Sequence, residues 1–183
     1  MRIISGTARG TKLYTLEGDA TRPTLDRVKE SLFNIIQNKI QDSVFLDLFS
    51  GSGAIGLEAA SRGARKVILC DNSKEAINII KKNVDKTHLE DKIKIFNKSF
   101  NDLLNDNIEK IDIAYIDPPY KTDYIYQSVK IIIENKALNE DGLIILETDE
   151  EKRILEQISK LKVEITDQRK YGRVHLIFLR EVR

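Results

Sequence analysis

Phe45-Leu46-Asp47-Leu48-Phe49-Ser50-Gly51-Ser52-Gly53-Ala54-Ile55-Gly56 reads as the end of a β-strand, a glycine-rich turn and the start of a helix. Gly51 and Gly53 permit a tight turn whose backbone approaches a ligand, and Gly56 permits close packing of helix on strand. Written as Gly-x-Gly-x-x-Gly, the segment also fits the dinucleotide fingerprint. Asp71 ends the next apolar run, 20 residues after Gly51, where an acid would hold ribose hydroxyls. A glycine turn alone is weak ground, because many α/β loops need glycine. The strand before it, the helix after it and Asp71 together point to a cofactor that contains a nucleoside.

Outward from this loop the chain alternates between two periodicities. Strands are expected at 44–48, 66–70, 93–96, 111–116 and 143–147, and helices at 55–62, 73–86, 100–105, 124–135 and 150–160. Two more strands, 162–166 and 174–179, flank a Tyr171-Gly172 turn. Such alternation specifies an α/β fold: a doubly wound, mostly parallel seven-stranded sheet, with the final hairpin adding antiparallel strands at one edge. Ahead of it, residues 2–16 carry glycines at 6 and 10 and alternate around Lys12-Leu13-Tyr14, which suggests a short hairpin. Thr21-Arg22-Pro23-Thr24 reads as a loop into a helix with Leu25, Val28, Leu32, Ile35 and Ile36 on one face.

The 183 residues suit one domain, and 41% hydrophobic against 32% charged residues supports a packed core over disorder. No apolar run exceeds four residues, as in 67–70 or 143–146, whereas a membrane span needs about 20. The opening MRIISGTARG lacks the apolar stretch of a signal peptide. One cysteine forms no internal disulfide and two histidines do not build a typical zinc site. The expectation is therefore a cytoplasmic protein with no membrane and no metal. The net charge of +1 is uneven: +2 over residues 1–34, −5 over 35–150 and +4 over 151–183. If the two basic ends share a face they could grip a polyanion; ordinary surface charge is the alternative.

Ligands in such sheets bind beyond the carboxyl ends of the strands, and three further signals lie there. Asp47 sits inside a strand end, where a carboxylate suits a cationic amine and would repel a pyrophosphate. S-adenosylmethionine has that amine and no phosphates; a turn or helix-cap acid is the other reading of Asp47. Ser99 and Phe100 follow the third strand, where they could contact and flank an adenine ring, although Phe100 is equally suited to a core. After the fourth strand comes Asp117-Pro118-Pro119-Tyr120, holding all but one of the chain's prolines. Proline removes an amide donor and fixes φ, so this rigid segment presents carbonyl acceptors, the Asp117 carboxylate and a flat tyrosine face. That set suits an exocyclic amine whose N–H bonds point at Asp117 and the Pro118 carbonyl, leaving its lone pair free to attack a methyl sulfonium. An oxidoreductase using NAD would explain the glycine spacing and Asp71 but gives Asp-Pro-Pro-Tyr no purpose. Cys70 within an apolar strand reads as core, His88 and His175 as structural or surface, and Tyr171 with Arg173 either as RNA contacts or as an ordinary turn.

The two motifs, in this order and about 65 residues apart, resemble a class I (Rossmann-like) S-adenosylmethionine-dependent amino-methyltransferase. Arg2-Ile3-Ile4-Ser5-Gly6, Arg9-Gly10, Thr21-Arg22-Pro23-Thr24, Asp26-Arg27-Val28-Lys29-Glu30-Ser31-Leu32-Phe33-Asn34 and Gly56-Leu57-Glu58-Ala59 further resemble the RsmD family. That family methylates the exocyclic N2 of one guanine in 16S ribosomal RNA, on assembled or assembling small subunits. The resemblance implies rRNA methylation by one methyltransferase domain over 1–183, with 1–40 as an RNA-engaging extension. It implies cofactor binding by Asp47, Phe49, Gly51, Gly53 and Asp71, to which Ser52 of the same loop and Ser99 and Phe100 after the third strand are added as candidates, and a guanine amine held by Asp117 to Tyr120. Arg2, Arg9, Lys12, Arg22 and Arg27 would engage RNA. Ser5 stands where the family usually has glycine, Asp71 where glutamate is usual, and Tyr120 where phenylalanine is frequent; none of these removes a needed group. DNA adenine-N6 or cytosine-N4 methylation also uses Asp-Pro-Pro-Tyr and is the nearest alternative.

Overall fold

Val44, Leu46 and Leu48 alternate with Phe45 and Asp47, and the two sets enter opposite faces of one sheet. The structure, a computed structural model, describes residues 1–16 and 23–182. The strands are β1 (Val44–Asp47), β2 (Lys66–Asp71), β3 (Ile93–Asn97), β4 (Ile111–Ile116), β5 (Leu138–Thr148), β6 (Val163–Tyr171) and β7 (Val174–Glu181). They form a sheet in the order β3-β2-β1-β4-β5-β7-β6, with β1 to β5 parallel. β7 runs antiparallel to both of its neighbours, β5 and β6. β6 therefore runs with the parallel set, and only one strand is antiparallel where two were expected. The hairpin itself forms; its direction is decided by β7 inserting between β5 and β6, which local sequence does not report.

The helices are α1 (Pro23–Ile35), α2 (Gln37–Ile40), α3 (Ala54–Ser61), α4 (Lys74–Thr87), α5 (Phe100–Asn105), α6 (Tyr124–Glu134) and α7 (Glu151–Ile158). One face of the sheet is covered by α1, α3 and α4 through residues such as Leu32, Leu57 and Ile80. The other is covered by α5, α6 and α7 through Leu103, Val129 and Ile154. Among the described residues no helix is long and apolar enough to cross a membrane. On α1 the buried positions among the described side chains are Val28, Lys29, Leu32 and Phe33, with Ile36 buried just beyond its end, while Ile35 is exposed and the side chain of Leu25 lies outside those described. Ile35 falls outside the stripe because the face turned inward runs through Phe33, not one residue further round. Pro23 and Thr24, read as loop, already belong to α1; Arg22 lies outside the described residues.

The N-terminal hairpin is reduced to a single antiparallel bridge, Arg2 with Lys12, among the described residues. Ile3 N–H donates to the Thr11 carbonyl at 2.9 Å, Gly10 N–H to the Ile3 carbonyl at 2.8 Å and Leu13 N–H to the Met1 carbonyl at 3.0 Å. What fixes this loop is its docking on α3. Glu58, fully buried, accepts the Ile4 and Ser5 N–H groups at 2.8 and 3.0 Å and pairs with Lys29 and Arg62 at 3.2 and 2.7 Å. A carboxylate taken out of water needs such donors, since its desolvation is otherwise uncompensated. Ser61 Oγ adds a bond from Ala8 N–H at 3.0 Å and one to the Ser5 carbonyl at 2.6 Å.

The sheet order reverses at β1: the chain runs outward through β2 and β3, then returns to place β4 on the other side of β1. At such a reversal the crossing helices part, and a crevice opens beyond the carboxyl ends of the two central strands.

Candidate active site

That crevice is a cleft of about 360 Å3. Its walls include Phe49 and Gly51 after β1, Asp71 at the end of β2, Ser99 and Phe100 after β3, and Asp117, Pro118, Pro119 and Tyr120 after β4. Asp47, Ser52 and Gly53 are not among its lining residues.

Gly51 has φ +53° and its N–H donates to Asp71 Oδ2 at 2.9 Å, so the turn is tied to the end of β2. Asp71 Oδ1 accepts Ser73 N–H at 2.9 Å. Each carboxylate oxygen retains a second lone pair toward a ligand. Gly53 caps the start of α3, and at Gly56 a Cβ would meet Leu69 Cδ2 at 2.2 Å, so the helix packs closer than any side chain permits. Gly56 N–H donates to Asp47 Oδ2 at 3.0 Å. Asp47 is 1% exposed, and its Oδ1 has no hydrogen-bond partner among the described residues. Burial pushes its carboxyl up to about 7; the Gly56 N–H opposes this and the nearby Asp71 charge adds to it. A buried acceptor lacking a donor and a countercharge fits an ammonium group, which supplies both.

Phe49 and Phe100 approach at 5.4 Å between ring centres. Tyr124, the first residue of α6, lies parallel to Phe49 at 6.1 Å and 4.9 Å from Phe100, completing an aromatic wall that sequence reasoning missed. The only signal for it was its place at the mouth of the fourth strand's loop. Lys98 and Asn72 also line the cleft without having been singled out. Phe100 serves both readings, since it lines the cleft and packs with Leu103 and Leu104. The Ser99 hydroxyl is taken up at the start of α5, accepting Asp102 N–H at 3.1 Å and donating to Asp102 Oδ2 at 2.8 Å. Cys70 is core, its thiol pushed up to about 12 by burial. His175 pairs with Glu151 at 3.1 Å, and His88 ends α4 with positive φ.

On the opposite wall, Pro118 is buried while Tyr120 is 62% exposed at the mouth. Thr122 Oγ1 donates to the Pro119 carbonyl at 2.9 Å, and Arg153 of α7 donates to the Thr122 carbonyl at 3.0 Å and pairs with Asp123. The segment is thus braced after Tyr120 as well as by its prolines.

Arg2, Arg9, Lys12 and Arg27 are all exposed. Arg2 and Arg9 share a depression with Asp26 and Glu30 of α1, so this surface is mixed in sign and not purely basic. Asn83 of α4, fully buried, was also missed: its side chain accepts Tyr14 N–H at 2.8 Å and donates to the Tyr14 and Ser52 carbonyls at 2.9 Å each. It fastens the N-terminal loop to the glycine turn. No group of three or more metal-ligating side chains is assembled among the described residues.

The family model described as "Conserved hypothetical protein 95" matches residues 1–180. Among curated relatives, "Ribosomal RNA small subunit methyltransferase D" of Haemophilus influenzae is 37% identical over 158 residues, 85% of this chain and 82% of its own. "Putative rRNA methyltransferase YlbH" of Bacillus subtilis is 35% identical over 94% of both chains. Among solved structures, a putative methyltransferase, yhhF, from Escherichia coli superposes with a TM-score of 0.83 at 28% identity, covering 100% of this chain and 99% of its own. A putative methylase from Haemophilus influenzae gives 0.79 at 30% identity over 100% and 99%.

Proposed function

The chain belongs to the RsmD family, described as conserved hypothetical protein 95, and from that premise we propose that it transfers a methyl group from S-adenosylmethionine to the exocyclic N2 amine of a guanine in 16S ribosomal RNA. The small subunit, assembled or assembling, is the substrate in this reading. The observation that carries it is the buried Asp47 oxygen that lacks a donor among the described residues, at the end of the strand whose following residues Phe49 and Gly51 line the crevice, with Asp-Pro-Pro-Tyr lining it after β4. The names of the relatives, which concern methylation of ribosomal RNA, support the nucleic-acid class.

S-adenosylmethionine, when bound, supplies an electrophilic methyl on a sulfonium together with a cationic amine. Asp47 would hold that amine, Asp71 would accept from ribose hydroxyls, and Phe49 with Phe100 would flank the flat purine. Asp117 and the Pro118 carbonyl accept the two N–H bonds of the guanine amine; the Pro119 carbonyl is already occupied by Thr122. Drawn toward these acceptors, the nitrogen becomes more tetrahedral and its lone pair leaves conjugation with the ring. Positive charge would grow on nitrogen as the N–CH3 bond forms and the S–CH3 bond breaks to leave a neutral thioether, and the Asp117 carboxylate would stabilise it. Tyr120 offers its face to the base, and rigid placement of the acceptors supplies the alignment on which the rate depends. The proton then leaves to Asp117 or to solvent. Arg2, Arg9, Lys12, Arg22 and Arg27 contact the RNA backbone.

The test offers methyl-labelled S-adenosylmethionine with three acceptors in parallel: small subunits lacking the modification, naked 16S RNA and DNA. Label in subunits is expected. Label in DNA alone keeps the chemistry and discards the ribosomal substrate. No label in any of them, despite cofactor binding, contradicts the reading.

A further inference from the structure

Resting on that reading, we infer that Tyr115 and Glu147 form a buried strut that fixes the position of Asp117, which makes both of them positioning residues for the transfer. The ladder between β4 and β5 pairs Ile113 with Leu143, Tyr115 with Ile145 and Ile116 with Leu146. One step further sets Asp117 beside Glu147. Side chains alternate along a strand, so Ile113, Tyr115 and Asp117 leave β4 on one face, and Leu143, Ile145 and Glu147 leave β5 on that same face. The packing agrees, with Ile113, Tyr115, Leu143 and Ile145 in one cluster. Across this pair of strands the Tyr115 hydroxyl donates to Glu147 Oε2. Tyr115 is 3% and Glu147 9% exposed.

Packing alone gives no reason for this pair. Phenylalanine and leucine would fill the space without desolvating a carboxyl, which is costly in an interior even when bonded. The pair stands where the sheet ends. Beyond Ile116 the ladder stops, and Pro118 and Pro119 have no N–H with which to rejoin it. The footing of the Asp117 segment on the sheet is therefore the last rungs of β4, and the Tyr115–Glu147 bond ties those rungs to β5 directly beneath Asp117. Asp47 stands opposite Tyr115 on β1, so the phenol leaves the sheet between the two strands whose following residues line the crevice. Burial above all, and then the neighbouring carboxyls of Glu147, Asp117 and Asp47, push the phenol well above its ordinary value and keep its proton in place as the donor.

Tyr115→Phe and Glu147→Ala are compared with Glu147→Gln, whose amide oxygen still accepts the phenol proton. In single turnovers on undermethylated small subunits the first two lower the transfer rate by about 10- to 100-fold, the scale of a misplaced catalytic group. Their affinity for S-adenosylmethionine is unchanged, and Glu147→Gln recovers most of the rate. Hydrogen exchange at the amides of 117 and 120–123 accelerates in the first two variants and not in the third. Exchange and rate both unchanged in Tyr115→Phe and Glu147→Ala overturn the strut. A wild-type protein that methylates no subunit, while the exchange pattern holds, removes the proposed function and leaves the strut standing.

Discussion

The two oxygens of Asp47 have different fates: Oδ2 takes the Gly56 N–H, and Oδ1 takes nothing among the described residues. Because burial raises this carboxyl to about 7, a cationic amine must bind the ionised form of a group that is half protonated near neutrality. Calorimetry should show affinity for S-adenosylmethionine weakening as pH falls below about 7, approaching tenfold per unit, and uptake of the cofactor releasing a proton. Asp47→Asn should lose most of the affinity and all of that pH dependence. Stability has the opposite sense. A folded-state value above the ordinary carboxylate range means that the protonated form favours folding, so this contribution is present at low pH and lost as pH rises through about 7. Melting curves of the ligand-free protein should fall between pH 5 and pH 8 by a component that Asp47→Asn lacks. Asp117→Ala should do the reverse in function, lowering turnover about 100-fold or more with cofactor affinity intact, as measured by paired kinetics and calorimetry. Asp47 and Asp117 could be singled out as candidates because they stand at the carboxyl ends of strands, where ligands bind in such sheets. Tyr124 was not, because a helix's first residue reads as a boundary, and only packing turns its ring toward Phe49.

At the scale of elements, α3 does two jobs with two faces. Its amino end closes the glycine turn, and its Glu58 holds the N-terminal loop. Removing one partner of a buried ion pair costs about 3–5 kcal/mol. Glu58→Ala should therefore lower the melting temperature by roughly 10 °C and open residues 1–16 to proteolysis. Arg62→Ala, at the partly exposed end of the same network, should cost less. Differential scanning and limited digestion check both. The strands and helices were readable from their periods of two and 3.6, and their limits differ mainly where β5 and β6 extend beyond the apolar runs. The roles of Glu58 and Asn83 in holding the N-terminal loop were not readable, because the loop groups they bond, at Ile4, Ser5 and Tyr14, stand more than 50 residues away in the chain. The direction of β6 was lost for the same reason. Pairing partners are chosen by the whole sheet.

Over the whole molecule, the reversal at β1 puts the cleft at the carboxyl end of the parallel strands, and the antiparallel β7 brings a second feature there. His175 pairs with Thr148 at the end of β5, so the turn from Tyr171 to Val174, with exposed Arg173, stands at the cleft's end of the sheet. Met1, Tyr171 and Val174 pack against one hydrophobic cluster, whereas Ile154, Ile158 and Val163 of the basic C-terminal segment pack against the other, so that segment reaches both sides of the sheet. Arg27→Glu should weaken capture of small subunits and make it less sensitive to salt, by about one unit of slope for each phosphate no longer neutralised, read from binding isotherms at several ionic strengths. Amine methylation at Asp117 is read from the nucleoside composition of small-subunit RNA after incubation with S-adenosylmethionine. N2-methylguanosine formed by the wild-type protein and absent with Asp117→Ala is the predicted result. A different methylated nucleoside, or the same product formed undiminished by Asp117→Ala, would contradict it.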